Sequence, residues 1–292
     1  MSAPSTTPSP VTPQHVAVIG LGQMGGPMAD CLLAAGHAVS VFDISGDAMA
    51  LRATNGARAA TSAADAATGA SFVSIVVFND SQLLEVVTGP DGVLRSLEPG
   101  SVVAVHTTAS LATIVRIAEA ASESGVSVID AGISGGEEGA TSGTLLTMVG
   151  GTEDAVAKAG PVLMAFSKEV VHAGPIGAGM ALKLARNAVG YTMMTAVHEA
   201  MVLARAANVD LALLNHVIGE TGVFAQALAP FVLGGPAPLG PDDPESLRTM
   251  LEHLRDLGEK DLQQALALAA DLEVEIPVTN LVSSTFHAVA RL

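Results

Sequence analysis

The chain has 292 residues, 49% apolar and 14% charged, and its 29 acidic residues against 13 basic ones give a formal charge of −16. That balance repels polyanions, which excludes nucleic acid as a partner, and no apolar run reaches the roughly 20 residues that would cross a bilayer. The single cysteine, Cys31, excludes an internal disulfide and suits a reducing, cytoplasmic setting as a small hydrophobe, leaving small molecules and further subunits as the expected partners.

Residues 1–14, MSAPSTTPSPVTPQ, are rich in Ser, Thr and Pro and lack the pattern of a cleaved leader, which predicts a disordered tail. From His15 to about Gly174, β-branched runs alternate with alanine-rich stretches. The runs HVAVIG, AVSVFDI, FVSIVVF, SVVAVHT, VSVIDAG, LLTMVGG and EVVHAG read as strands of a parallel, doubly wound α/β sheet with helices on both faces, so residues 15–178 are expected to form a Rossmann-type domain. The pattern then changes. MALKLARNAVGYTMMTAVHEAMVLARAAN, within residues 179–208, has no proline and reads as one long interdomain helix. Further helices follow around LGGPAPLGPDDP, Leu233 to Pro244, where prolines and glycines forbid regular structure. Residues 179–292 are therefore expected to form an all-helical domain for substrate and subunit contacts.

The first strand runs directly into GLGQMGGPMADCLLAAG. Gly20, Gly22 and Gly25, with Leu21, Gln23 and Met24 between them, form G-x-G-x-x-G at a strand-to-helix turn. Such a turn lets backbone approach a pyrophosphate and presents the free N–H groups of a helix N-terminus to it. The second strand ends at Asp43, placed to accept hydrogen bonds from the adenosine ribose, and equally placed to cap the next helix. A carboxylate there repels a 2′-phosphate, so NAD is expected as cofactor over NADP. The reading calls for no metal.

Lys183 and Asn187 stand four residues apart on the apolar long helix, and so share one face. A lysine on such a helix is partly desolvated, which lowers its pKa toward the range useful for general acid–base work. Upstream, Ser134, Gly135 and Gly136 in DAGISGGEEGATSG make a turn whose N–H groups and hydroxyl suit a substrate carboxylate, although an ordinary glycine turn reads the same way. Lys260 in EKDLQQALALA is read near the start of a helical stretch, where a cation is poorly matched to the helix dipole and an anionic ligand would explain it; a solvated surface lysine fits as well.

Four segments taken in order resemble the β-hydroxyacid dehydrogenase family, that of the 3-hydroxyisobutyrate and tartronate semialdehyde enzymes. GLGQMGGPMADCLLAAGHAVSVFD is similar to its cofactor signature, DAGISGGEEGATSGTLLTMVGG to its substrate segment, GAGMALKLARN to its catalytic segment and KDL to its C-terminal cofactor contact. The resemblance implies Lys183 as catalytic lysine, Asn187 as substrate partner, and Ser134, Gly135 and Gly136 around the substrate carboxylate. It also implies Thr107 and Thr108 of HTTAS near the nicotinamide, and Lys260 beside the cofactor. The implied reaction is hydride transfer between NAD and a small 3-hydroxy acid or its semialdehyde, in a homodimer or homotetramer. The sequence departs from the family at DAGISGG, where DAPVSGG is common, at Leu111, where a proline often stands, and before KDL, where an aromatic residue is missing. These departures bear on which substrate is used. An imine reductase shares the implied architecture but usually carries an aspartate or tyrosine in place of Lys183; a non-catalytic dinucleotide sensor would need neither Lys183 nor Asn187.

Overall fold

A computed structural model describes residues 12–223 and 235–289. Most of the expected N-terminal tail, residues 1–11, lies outside the described residues, as do Leu233 and Gly234 of the expected irregular segment.

The first part of the chain builds an eight-stranded sheet from β1 (His15–Ile19), β2 (Ala38–Phe42), β3 (Arg58–Ala59), β4 (Phe72–Ile75), β5 (Val102–Val105), β6 (Ser127–Ser134), β7 (Leu145–Gly150) and β8 (Ser167–Gly174), in the order β3-β2-β1-β4-β5-β6-β7-β8. Its helices are α1 (Gly25–Ala34), α2 (Gly46–Thr54), α3 (Ala63–Ala67), α4 (Asp80–Thr88), α5 (Leu111–Ser122), α6 (Gly136–Ser142) and α7 (Glu153–Leu163). Alternate residues of one strand enter opposite cores. Val16 and Val18 join Met28, Leu32 and Phe166 on one face, while Ala17 and Ile19 join Ile75, Leu83, Ile114 and Ile117 on the other. Burial on both faces is why the strands read as continuous apolar runs.

The sheet is not wholly parallel. β7 runs antiparallel to β6, and β8 then runs parallel to β7. Residues 135–144 between β6 and β7 hold only the seven-residue α6, shorter than the dozen or more residues a parallel crossover needs. β3, two residues long, is an eighth strand too short to read from its sequence. β6 is longer than its neighbours: Val105 of β5 pairs with Asp130, and beyond that level β6 continues to Ser134 paired only with β7.

The described remainder is helical, comprising α8 (Ala178–Ala206), α9 (Leu211–Thr221), α10 (Glu245–Asp271) and α11 (Pro277–Thr285). The long helix expected over 179–208 closes where Asn208 takes a φ of +59° and the Val209 N–H turns back to the Ala204 carbonyl. Residues 235–244 form turns without regular structure. The chain divides into two compact units, one ending at Asn187 and one beginning at Ala188. In the second unit, buried Glu199 accepts the Val278 N–H at 2.6 Å and both the N–H and the hydroxyl of Thr279 at 2.8 Å, closing the open end of α11. Burial pushes this carboxyl up, but those three donors and the neighbouring His198 outweigh it and hold the pKa below the usual carboxylate value.

Candidate active site

The glycine turn is sterically fixed. Gly20 sits at φ +92°, and a Cβ there would strike the Val76 carbonyl oxygen; one on Gly25 would strike the Gly20 carbonyl oxygen. Met24 caps α1 without a side-chain hydrogen bond and the first turn carries no acidic residue; the Gly26 N–H donates to the Gly22 carbonyl and Pro27 has none, so the helix start offers the Gly25 N–H to an anion without a competing carboxylate. Leu21 turns its side chain into the core, whereas Gly22 and Gln23 are exposed. Asp43 accepts the Leu21 N–H at 2.6 Å through Oδ2 and the Ser45 N–H at 2.7 Å through Oδ1. It is not the cap of α2; the Ser45 hydroxyl fills that place, accepting the Ala48 N–H.

Gly20, Gly22 and Asp43 line a cavity of about 720 Å³, with Ile44 and Phe78 at its apolar rim and Gln82, Glu85 and Asp91 among its polar walls. Among the described residues no lysine or arginine lines it. Arg52 instead lies under α1, 3.3 Å from Asp30. A glycine cradle, an uncapped helix end and a carboxylate at the strand terminus fit an adenosine diphosphate group whose ribose carries free hydroxyls.

The carboxyl ends of β4 and β5 are tied together. Buried Thr107 uses its hydroxyl to donate to the Val77 carbonyl and accept the Val77 N–H, both at 3.0 Å. Asp80 accepts from the Ser110 and Thr113 hydroxyls, each at 2.7 Å, which holds its carboxyl below the usual value. Thr108 beside them is exposed. His106 is buried between the Ser74 hydroxyl and the Ala131 carbonyl, edge-on to Phe166, and burial lowers its pKa to about 4.

The extension of β6 meets the start of α8. Asp130 is fully buried and accepts the Gly177 N–H at 2.6 Å and the Met180 N–H at 2.5 Å. Lys183 follows one turn later, half-buried, its stem against Gly132. Desolvation and the nearby Arg186 guanidinium hold its pKa below the usual lysine value. Asn187 is half-buried one further turn along, its amide oxygen 3.3 Å from Arg186 Nη1. β6 ends at half-buried Ser134, followed by exposed Gly135 and Gly136 at φ +140° and +64° where α6 begins. The first unit thus carries the glycine turn, Asp43, Thr107, Thr108, Ser134, Gly135, Gly136, Lys183 and Asn187.

Lys260 stands apart in the second unit. It lies well inside α10, not near a helix start, because that helix begins at Glu245 directly after Pro244; the argument from a mismatched dipole therefore falls away. It is exposed and paired with Asp261 at 3.2 Å. Cys31, half-buried with its thiol pushed up by burial, directs it to the Ala140 carbonyl as a packing residue.

A family model described as the NAD binding domain of 6-phosphogluconate dehydrogenase matches residues 15–174. A 3-hydroxyisobutyrate dehydrogenase from Pseudomonas aeruginosa is 34% identical over 94% of this chain and 92% of its own. The chain belongs to the β-hydroxyacid dehydrogenase family. It is an NAD-binding oxidoreductase of the class that acts on CH–OH groups. The crystal structure of an oxidoreductase from Mycobacterium avium 104 shares 37% identity and a TM-score of 0.83 with this chain, covering 94% of it and 98% of that one. An imine reductase from Myxococcus stipitatus has a TM-score of 0.76 over 96% of this chain and 93% of its own at 19% identity, a likeness of fold alone.

Sequence reasoning missed Asp130, Gly132, His106 and Asp80. Asp130 and Gly132 lie inside DAGISGG, and the buried position of an aspartate within an apolar strand was the available signal.

Proposed function

We propose that this β-hydroxyacid dehydrogenase oxidises the alcohol carbon of a small 3-hydroxy acid of the 3-hydroxyisobutyrate type, or reduces the corresponding semialdehyde, with Lys183 as general acid–base. The observation that carries the reading is a half-buried lysine with lowered pKa, one turn from Asn187, on a helix seated on the strand that ends in the Ser134–Gly135–Gly136 turn. Bound NAD supplies the chemistry of hydride transfer. Neutral Lys183 Nζ takes the hydroxyl proton during oxidation, and the ammonium returns it to the carbonyl oxygen during reduction. Asn187 holds the reacting oxygen in line, and the Ser134 hydroxyl with the N–H groups that open α6 receives the substrate carboxylate, with Thr108 at the rim. Gly20, Leu21, Gly22, Gln23, Met24, Gly25, Asp43 and Thr107 serve the cofactor, and Lys260 is assigned to it on the family resemblance alone. The presence of Lys183 favours this reading over imine reduction.

Initial rates of NAD reduction across a panel of small 3-hydroxy acids, with NADP in parallel and Lys183→Ala as control, test it. Turnover that needs both NAD and Lys183 is expected. Tight NAD binding with turnover unaffected by Lys183→Ala overturns the acid–base role, and absence of turnover with every acid and semialdehyde overturns the substrate class.

Residues 179–292 are read as the substrate and subunit domain. Leu184, Val189, Tyr191 and Met194 on α8 are 41%, 58%, 65% and 68% exposed, an apolar load that supports a homodimer or homotetramer. Sedimentation equilibrium of the full chain checks this; a monomer at micromolar concentration counts against it.

A further inference from the structure

Asp130 and Gly132 lie two apart on β6, so both project from the same face of the sheet, and Ser134 is the next residue on that face. Two residues of strand advance about 6.6 Å. On the helix, Met180 to Lys183 advances about 4.5 Å and Lys183 to Asn187 about 6 Å. The start of α8 therefore lies along β6: Asp130 meets the Gly177 and Met180 N–H groups and Gly132 meets Lys183.

Each contact is specific. Each carboxylate oxygen of Asp130 accepts one backbone N–H of the start of α8 in a fully buried place, which ties the helix to the strand. A Cβ on Gly132 would lie 2.8 Å from Cβ and 3.0 Å from Cγ of Lys183. Those atoms are the rooted end of the side chain, which cannot swing aside without moving the helix. Gly132 is also where the sequence departs from the family's common proline.

We propose that Asp130 and Gly132 are positioning residues for Lys183: Asp130 anchors the first turn of α8 on β6, and Gly132 provides the gap that lets the lysine stem rest on the strand. The height of the amine above the sheet is thereby set by the same strand that delivers the substrate-binding turn. This rests on Lys183 being the acid–base group.

The test compares Gly132→Ala, Asp130→Asn and Lys183→Ala with the parent enzyme, reading kcat, KM for the hydroxy acid, the NAD dissociation constant and the pH profile of kcat/KM. Folding is checked by thermal melting. Gly132→Ala leaves unchanged the Arg186 guanidinium that acts on Lys183 from α8 and the Asp130 carboxylate on β6. It is expected to lower kcat about 10²-fold, the scale of an ångström-sized misplacement, to move the Lys183 limb of the pH profile, and to leave the NAD dissociation constant within about twofold, the margin of a site whose anion-binding N–H groups are untouched. A folded Gly132→Ala enzyme with parental kcat and pH profile overturns the proposal, as does a loss of NAD affinity equal to the loss of kcat. If Asp130→Asn does not fold, Gly132→Ala decides alone. The two readings separate cleanly: a Lys183→Ala enzyme that turns over overturns the acid–base assignment, whereas an inactive Lys183→Ala beside an unimpaired Gly132→Ala overturns only the positioning.

Discussion

The Leu21 N–H donates to Asp43 Oδ2 at 2.6 Å, so the acidic residue that ends β2 and the glycine turn that follows β1 are one mechanical unit. Asp43 thus has two effects that substitution separates. Removing its charge in Asp43→Ala relaxes the repulsion of a 2′-phosphate, so the ratio of NAD to NADP affinity falls. Freeing the Leu21 N–H also loosens the turn, so affinity for both cofactors drops by about tenfold, the scale of one charge-assisted hydrogen bond. Fluorescence titration with NADH and NADPH measures both, and an unchanged ratio would count against a ribose role for Asp43.

The acid–base role proposed for Lys183 predicts a pH dependence whose sign differs with direction. Burial and Arg186 favour the neutral amine, so its titration falls below the usual lysine range. Oxidation needs the neutral base, and its kcat/KM rises with pH through that lowered value and then levels. Reduction needs the ammonium and shows the mirror-image fall. Lys183→Ala removes the limb in both directions and lowers kcat by about 10³-fold, within the usual range for a general acid–base group. Rates measured from pH 6 to 10 decide this; a limb that persists in Lys183→Ala belongs to another group.

His106 makes the fold sensitive to acid. Its ring takes a proton in the folded chain only near pH 4, held down by burial, whereas an unfolded histidine does so near 6.5. Between those values the unfolded state binds more protons, so its contribution to stability is intact above about pH 6.5 and declines as pH falls toward 4, by about 3 kcal/mol in all. Urea denaturation at pH 7 and pH 4.5 is expected to show this loss, and His106→Gln is expected to flatten it while lowering stability at pH 7.

Glu199 closes the open end of α11 with three hydrogen bonds. Glu199→Ala leaves two N–H groups and a hydroxyl without their acceptor and is expected to cost about 3 kcal/mol in the second unit. The urea midpoint reads this out; a midpoint within error of the parent would mean that water replaces the carboxylate.

What the sequence made legible is what depends on neighbours in the chain. The valine-rich strands and the spacing of Gly20, Gly22 and Gly25 follow from local period and turn geometry, and Lys183 with Asn187 follows from helix spacing. The reversal at β7 was hidden because the β-branched pattern of LLTMVGG is the same in either direction; only the short connection after Ser134 tells them apart. Asp130 and His106 were hidden because their partners are remote, Met180 fifty residues on and Ala131 twenty-five. Lys260 was misplaced because Pro244 was read as part of an irregular stretch and not as the cap of a helix starting at Glu245.

The antiparallel pairing of β6 and β7 gives the arrangement a parity. Because a strand's side chains alternate, the pairing of Asp130 with Gly150 admits only even displacements if Asp130 and Gly132 are to stay on the α8 side. Inserting one residue before Asp130 in β6 would turn both residues toward the opposite core, with a carboxylate beside Ala104 and Val149 of the neighbouring strands and no anchor for the helix. A single insertion in β6 before Asp130 should therefore be tolerated only where a bulge absorbs the extra residue, as β8 does twice against β7.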